Sequence, residues 1–192
     1  MIRKAKVEDL EQIYPLYKRY ALDISKVNDI SYSSKIQKEG FFIDLSDKED
    51  CKKRIRSSLI FNVLEDNKKI VGFIDINKEI YFPEEAPNIV WLNKEAKFEY
   101  FKGKNSTVLH LIAVEPRYRG KGVADELLQN SEEELKKKGY KNIFAIVTTG
   151  PLKNNPSISF HNKMGFKKVC ETKPIDLFGL KDYESVLFRK TI

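Results

Sequence analysis

The chain has 192 residues, 41% of them hydrophobic and 11% aromatic, which suits the core of one domain spanning residues 1–192. It contains no apolar run of about 18 residues, no apolar leader ending in small residues, and only Cys51 and Cys170. A membrane span, a secretory signal and a disulfide framework are therefore not expected. Lys and Arg outnumber Asp and Glu by 35 to 28, for a net charge of +7, but acids and lysines are scattered. The reading is of a soluble cytoplasmic protein, monomer or homodimer, with no nucleic-acid or membrane partner.

The opening "MIRKAKVEDLEQIYPLYKRYALD" reads as a short strand and then a helix. Asp9 is placed to cap that helix, and Leu10, Ile13, Leu16 and Tyr17 share one face. Residues 25–47 are polar and irregular, and "DKEDCKKRIRSSL" looks helical. "IFNVLE" and "KIVGFIDIN" flank "DNKK", a hairpin signal. Residues 78–105 are rich in aromatics, including Trp91, but show no clean period. "TVLHLIAV" (107–114) is nearly all apolar and reads as a central strand.

A helix beginning near Gly120 or Lys121 comes next, with Val123, Ala124, Leu127, Leu128 and Leu135 on one face and Gly139 as its stop. The triplet Lys136–Lys138 suits the negative end of that helix dipole. "NIFAIV" (142–147) is a further buried strand, "NPSISFHNKMGF" gives one or two helical turns ending at Gly165, and residues 166–172 and 183–190 close the chain as strands. Early hairpins and a later parallel crossover imply an α/β domain with a mixed sheet.

The stretch "RYRGKGVADELL" (117–128) joins that central strand to the helix. It lacks the spacing of a Walker loop and the third glycine of a dinucleotide fingerprint. What it provides is a helix N-terminus with unpartnered amides, glycines that let an anion approach, and the charges of Arg119 and Lys121. That is a cradle for a pyrophosphate. The plain alternative is an ordinary glycine loop opening a helix.

"LIAVEPRYRGKGVADELL" resembles the acyl-CoA-binding signature of the GNAT N-acetyltransferase superfamily: Arg or Gln, two residues, Gly, one residue, Gly or Ala. Arg117–Gly120–Gly122 fits it, and so does Arg119–Gly122–Ala124, the preferred register because it also aligns Pro116 and Tyr118. "NNPSISFHNKMGF", "IRKAKVEDLEQI" and "VLEDNKKIVGFIDI" resemble other parts of the family, so that only residues 25–50 and 78–105 are unmatched. The resemblance implies a single GNAT-like domain, its mixed, mostly antiparallel sheet splayed at the acyl-CoA site and flanked by helices, and an acetyl-CoA-dependent N-acetyltransferase needing no metal.

It also implies roles for particular residues. Amides from Gly120 through Lys121, Gly122, Val123 and Ala124 to Asp125, with Arg119, would hold the pyrophosphate of coenzyme A. The backbone of Ile112, Ala113 and Val114 would pair with the pantetheine arm, Asn154 would contact the coenzyme, and His161, seven residues on, would lie nearest the thioester sulfur. The strand is expected to bulge at Val114, whose amide would face the oxyanion, and to part there from "NIFAIV".

Acetyl transfer to an amine needs a base, an oxyanion donor and a way for the thiolate to leave. His110 is the first choice of base, since imidazole as a group suits proton exchange with an ammonium and a polar residue in an apolar strand needs a reason. A core histidine with a satisfied hydrogen bond is the alternative, and Glu84, Glu85, Glu95 and Glu99 compete for the role. His161 stands where the family usually has Tyr, which leaves it as acid, coenzyme contact or ordinary helix residue.

The aromatics Tyr81, Phe82, Trp91, Phe98, Tyr100 and Phe101, with Tyr32, Phe41 and Phe42, would wall the acceptor side or else complete a core. The function expected is acetyl transfer to a primary amine of a small molecule or peptide. The alternative is an acyl-CoA sensor without turnover.

Overall fold

A computed structural model describes residues 1–192 apart from Ile80, Pro83, Glu85 and Phe178. After β1 (Ile2–Lys4) come three helices, α1 (Leu10–Tyr20), α2 (Ile30–Glu39) and α3 (Lys48–Ser57). The hairpin β2 (Ile60–Asp66) and β3 (Lys69–Asn77) turns through Asn67 and Lys68, both at positive φ, as a two-residue hairpin turn requires. The remaining elements are β4 (Ile89–Trp91), α4 (Lys94–Lys102), β5 (Ser106–Val114), α5 (Val123–Lys137), β6 (Asn142–Gly150), α6 (Asn155–Lys163), β7 (Lys167–Thr172), β8 (Ile175–Leu177) and β9 (Leu180–Thr191).

The strands form one sheet in the order β1-β2-β3-β5-β6-β9-β7-β4, with β8 paired to β9. β5 and β6 run parallel and the other paired strands run antiparallel. This is the expected mixed, mostly antiparallel sheet flanked by helices. Among the described residues no helix is long and apolar enough to cross a membrane.

Each face of the sheet is covered by the helix face its periodicity supplies. Val123, Leu127, Leu128 and Leu135 of α5 pack against Ile74, Leu109, Val114 and Ala145 on one side. Leu10, Ile13, Leu16 and Tyr17 of α1, with Cys51 and Ile55 of α3, pack against Phe73, Leu111 and Ala113 on the other. Asp9 does not cap α1 through its side chain. Its carboxylate instead accepts the Lys6 amide at 2.7 Å and both arms of Arg3 at 2.7 and 2.9 Å.

Four elements lie outside the sequence expectation: α2, β4, α4 and the short β8. Residues 25–47, read as irregular, contain α2, which buries only Ser33 and Ile36 and so shows no apolar stripe. Residues 78–105 contain β4 and α4, the latter burying only Ala96 and Tyr100. Helix α5 begins at Val123 rather than near Gly120, because Gly120 and Gly122 sit at φ +71° and +84°, outside helical geometry.

His161 belongs to the core. It is 4% exposed, stacked on Phe188 at 5.6 Å and edge-on to Phe166 at 4.9 Å. Its Nδ1 lies 2.7 Å from the Ser157 carbonyl and so carries the proton, while Nε2 has no partner among the described residues. Burial lowers its pKa from 6.5 to about 4.

Two outcomes are expected. Close packing of α5 on β3 leaves no room at Gly72, where a Cβ would lie 2.9 Å from Val123 Cγ1 and 3.1 Å from the Ala113 carbonyl oxygen. Gly72→Ala should therefore destabilise the fold by about 1–3 kcal/mol in urea titration. The unfolded His161 ring binds a proton near 6.5 and the buried ring only near 4, so protonation favours the unfolded chain as pH falls through this window. Roughly 3 kcal/mol of stability present above that window should be lost across it. In the His161→Phe variant the fall in urea midpoint between pH 6.5 and 4 should be correspondingly shallower.

Candidate active site

The site begins where the sheet divides. β5 and β6 pair at Ser106–Asn142, Thr107–Ile143 and Val108–Phe144, and no further pair joins them. Past that point β5 stays with β3 and β6 stays with β9, so a gap opens between the two halves of the sheet. The Glu115 amide donates to the Val71 carbonyl at 2.8 Å. Antiparallel alternation then turns the backbone groups of Ile112 and Val114 toward the gap and those of Ala113 toward β3. Of the three residues expected along the pantetheine arm, Ala113 therefore has no free amide to offer. The Val114 carbonyl is held by the Tyr20 hydroxyl at 2.9 Å.

At the end of β5 a short 3₁₀ turn, Pro116–Tyr118, leads to the glycines. An added Cβ at Gly120 or Gly122 would meet nothing within 4 Å, so positive φ, not crowding, demands glycine there, and the space beside the backbone is open. The first hydrogen bond of the helix is from the Glu126 amide to the Gly122 carbonyl at 2.9 Å. The amides of Val123, Ala124 and Asp125 precede it and are free of the helix ladder. Arg119 lies over the Tyr20 ring at 4.5 Å and Lys121 over the Tyr118 ring at 5.1 Å, while Asp125 pairs with Lys163 at 2.5 Å. The result is a cationic helix N-terminus at the mouth of the gap, suited to a diphosphate.

The expected bulge is in β5, but at His110 rather than at Val114. Leu109 pairs with Ile76 and Leu111 with Asp75, so His110 is the extra residue. The face alternation confirms the count: Leu109 and Val114 face α5, whereas Leu111 and Ala113 face α1 and α3. The bulge turns the His110 ring into a polar cluster. Its Nδ1 is 2.6 Å from the Tyr81 hydroxyl, and its Nε2 meets Arg54 Nη1 and, at 3.0 Å, Asp44 Oδ2. The Tyr81 ring stacks on it at 5.2 Å.

Asp44 is gripped by Arg54 at 2.6 Å and by the Ser46 amide at 2.9 Å. Burial opposes its ionisation, but its contacts with His110 and Ser46 and the charge of Arg54 outweigh that and hold it far below the usual carboxylate range. Asp75 is fully buried 3.9 Å from the same Arg54 nitrogen, and neither of its oxygens has a hydrogen-bond partner among the described residues. Burial pushes its pKa up against the pull of His110 and Arg54.

The other candidates lie apart from this cluster. Glu84 pairs with Lys102 at 2.8 Å, Glu95 with Arg189 at 3.4 Å, and Glu99 accepts from Asn142 at 3.3 Å; Glu85 lies outside the described residues. Asn154 is a structural cap: its Oδ1 accepts the Ser157 amide at 3.2 Å and its Nδ2 donates to the Phe41 carbonyl. The aromatic wall is largely core, because Phe82, Trp91, Tyr100 and Phe101 pack with Phe144 beneath the second half of the sheet. Phe41 and Phe42 are also built into core clusters, and Tyr32 bonds the Asp23 amide at 2.7 Å. Tyr81 is the one of these aromatics bonded to His110.

Asp44, Arg54, Asp75 and Glu79 escaped sequence reasoning. Asp75, an acid inside the apolar run "GFIDIN", carried the same signal as His110.

Known proteins give the arrangement its context. Among solved structures, the smu.2055 protein of Streptococcus mutans UA159 matches at TM-score 0.69 with 18% identity, covering 100% of this chain and 98% of that one. The ribosomal-protein-alanine N-acetyltransferase of Brucella melitensis matches at 0.64 with 20% identity over 100% and 99%. The PaiA N-acetyltransferase of Thermoplasma acidophilum, solved with coenzyme A, matches at 0.59 with 20% identity over 100% and 98%. At these identities the likeness speaks for the fold. No curated protein sequence matches the chain. A model of the acetyltransferase (GNAT) family does match, over residues 11–166, and the chain belongs to that family.

Proposed function

We propose that this protein transfers an acetyl group from acetyl-CoA to a primary amine of a small molecule or peptide, by direct attack of the amine on the thioester. The observation that carries the reading is one strand, β5, that borders the gap, leads through residues 115–122 to the free amides of α5 and bears His110 beside an ionised carboxylate.

In this reading the pyrophosphate of coenzyme A rests on the amides of Val123, Ala124 and Asp125 with Arg119 and Lys121, near Gly120 and Gly122. The pantetheine arm runs along the gap edge at Ile112 and Val114. His110 takes the proton from the acceptor ammonium, and the freed nitrogen lone pair attacks the thioester carbon. The Val114 amide donates to the oxyanion as it forms. Collapse breaks the C–S bond, and coenzyme A departs as a thiolate that takes up the second proton of the attacking nitrogen, directly or through solvent, leaving a neutral amide. Thiolates of pKa near 8.5 leave without an acid. His161 is not asked for a proton: at neutral pH its ring is uncharged, and its one N–H is committed to Ser157. The carboxylates of Asp44 and Glu79 and the Tyr81 ring suit a cationic acceptor.

Incubation with acetyl-CoA and a panel of amines, with free-thiol release as the readout, tests the proposal. Turnover on at least one amine is expected, with His110→Ala lowering kcat by about 10²-fold or more and leaving the KM for acetyl-CoA within about twofold. Thermal stabilisation by acetyl-CoA without turnover on any amine would make the protein an acyl-CoA sensor, and no stabilisation would sink both readings. Gly122→Val should instead raise the KM for acetyl-CoA, since valine resists φ +84° and crowds the cradle.

A further inference from the structure

We infer that Glu79 and Tyr81 are positioning residues that hold His110 in the tautomer whose free lone pair is on Nε2, making Nε2 the base nitrogen. The inference rests on the reading of His110 as base.

Donor and acceptor accounting at one oxygen carries it. The Tyr81 hydroxyl has three partners: Asn77 Nδ2 at 2.9 Å, Glu79 Oε2 at 2.8 Å and His110 Nδ1 at 2.6 Å. Asn77 is oriented by the Glu79 backbone amide, which donates to Asn77 Oδ1 at 3.0 Å, so its Nδ2 faces Tyr81 and can only donate. An ionised Glu79 can only accept, so it takes the single Tyr81 proton. Burial raises the Tyr81 pKa, and the hydroxyl stays protonated. The third partner must then be a donor, which places the ring proton on Nδ1.

The other end of the ring is compatible with this assignment but does not decide it. Nε2 faces a donor, Arg54 Nη1, and an acceptor, Asp44 Oδ2 at 3.0 Å, so either a lone pair or a proton on Nε2 finds a partner there. The Tyr81 oxygen, with one proton and three partners, is what fixes the tautomer.

The charged groups around the ring can accommodate the proton once it arrives. When the acceptor ammonium passes a proton to Nε2, the ring becomes an imidazolium whose Nδ1–H stays on Tyr81. Its new Nε2–H faces Asp44 Oδ2, 3.0 Å away. Arg54 must release the Nε2 lone pair before that proton is taken, and the buried Asp75, 3.9 Å from the same Nη1, is the acid toward which it can turn. The imidazolium returns its proton to solvent after the product leaves.

The test uses protein labelled with ¹⁵N at histidine. The chain has two histidines, and His161→Phe assigns their signals. Long-range ¹H–¹⁵N correlation of the wild type at neutral pH should show His110 as the Nδ1–H tautomer. Tyr81→Phe keeps the ring and removes the acceptor, so it should shift the pattern toward Nε2–H. It should also lower kcat about tenfold or more while the KM for the amine stays within about twofold. Glu79→Ala, which frees the Tyr81 proton to turn toward Nδ1, should move the tautomer the same way.

A wild-type His110 in the Nε2–H form would overturn the inference. So would a Tyr81→Phe enzyme with unchanged tautomer or unchanged kcat, and in either case a low kcat of His110→Ala would leave the base reading standing. Full turnover by His110→Ala would instead remove the base reading and this inference together.

Discussion

The parting of β5 from β6 is the constraint on which the rest of the molecule depends. Two parallel strands that pair only from Ser106–Asn142 to Val108–Phe144 leave backbone groups along the rest of their facing edges without a sheet partner. Such groups are costly when buried and unpaired. The fold answers one of them with the Tyr20 hydroxyl on Val114 and keeps others available at an opening. The two halves of the sheet do not fall apart, because one core runs beneath both. Leu109 and Val114 from one side and Ala145, Val147 and Val186 from the other pack around the same leucines of α5. The helix that closes the core is also the helix whose N-terminus faces the opening, so packing and the placement of those free amides are set by a single element.

The bulge at His110 is the second consequence of that strand. A regular strand would have placed His110 on the side opposite Leu109 and Leu111 alike, with Leu109 and Leu111 sharing one core. One extra residue breaks this parity. The apolar residues before and after it are thereby distributed to opposite faces, and the imidazole is aimed at Arg54, Asp44 and Tyr81, from α3 and two separate loops. An arginine between two carboxylates is costly to bury unless its hydrogen bonds are met. Arg54 meets them through Asp44, Ser46 and His110, and the uncompensated share falls on Asp75, which burial drives toward its neutral form.

What could be read in the sequence was what local physics dictates. The glycines after β5 could be recognised because two positive-φ residues at a helix start tolerate little else, and α1 and α5 because their apolar stripes are continuous. Helices α2 and α4 were hidden for the converse reason: each buries two residues, too few to establish a period. The polar cluster was hidden by separation along the chain. Asp44, Arg54, Asp75, Tyr81 and His110 span some 66 positions, and only the sheet register and the seating of α3 bring them together. The aromatics of 78–105, left open between an acceptor wall and a core, are mostly core, because β4 and α4 carry Trp91, Tyr100 and Phe101 onto Phe144.

The two histidines show how far environment, rather than residue type, decides function. Both lie in segments where the family resemblance invites a proton-transfer role. His161 is enclosed by phenylalanine rings with one carbonyl partner, and no charged group in its surroundings rewards ionisation, so it stays neutral into acid. His110 has a partner at each nitrogen, and the carboxylate 3.0 Å from Nε2 is held ionised and can accept an N–H there. A group that must gain and lose a proton in each turnover needs both forms to be within reach. The buried ring can reach one of them near neutral pH, and the ring at the bulge is surrounded by partners for both.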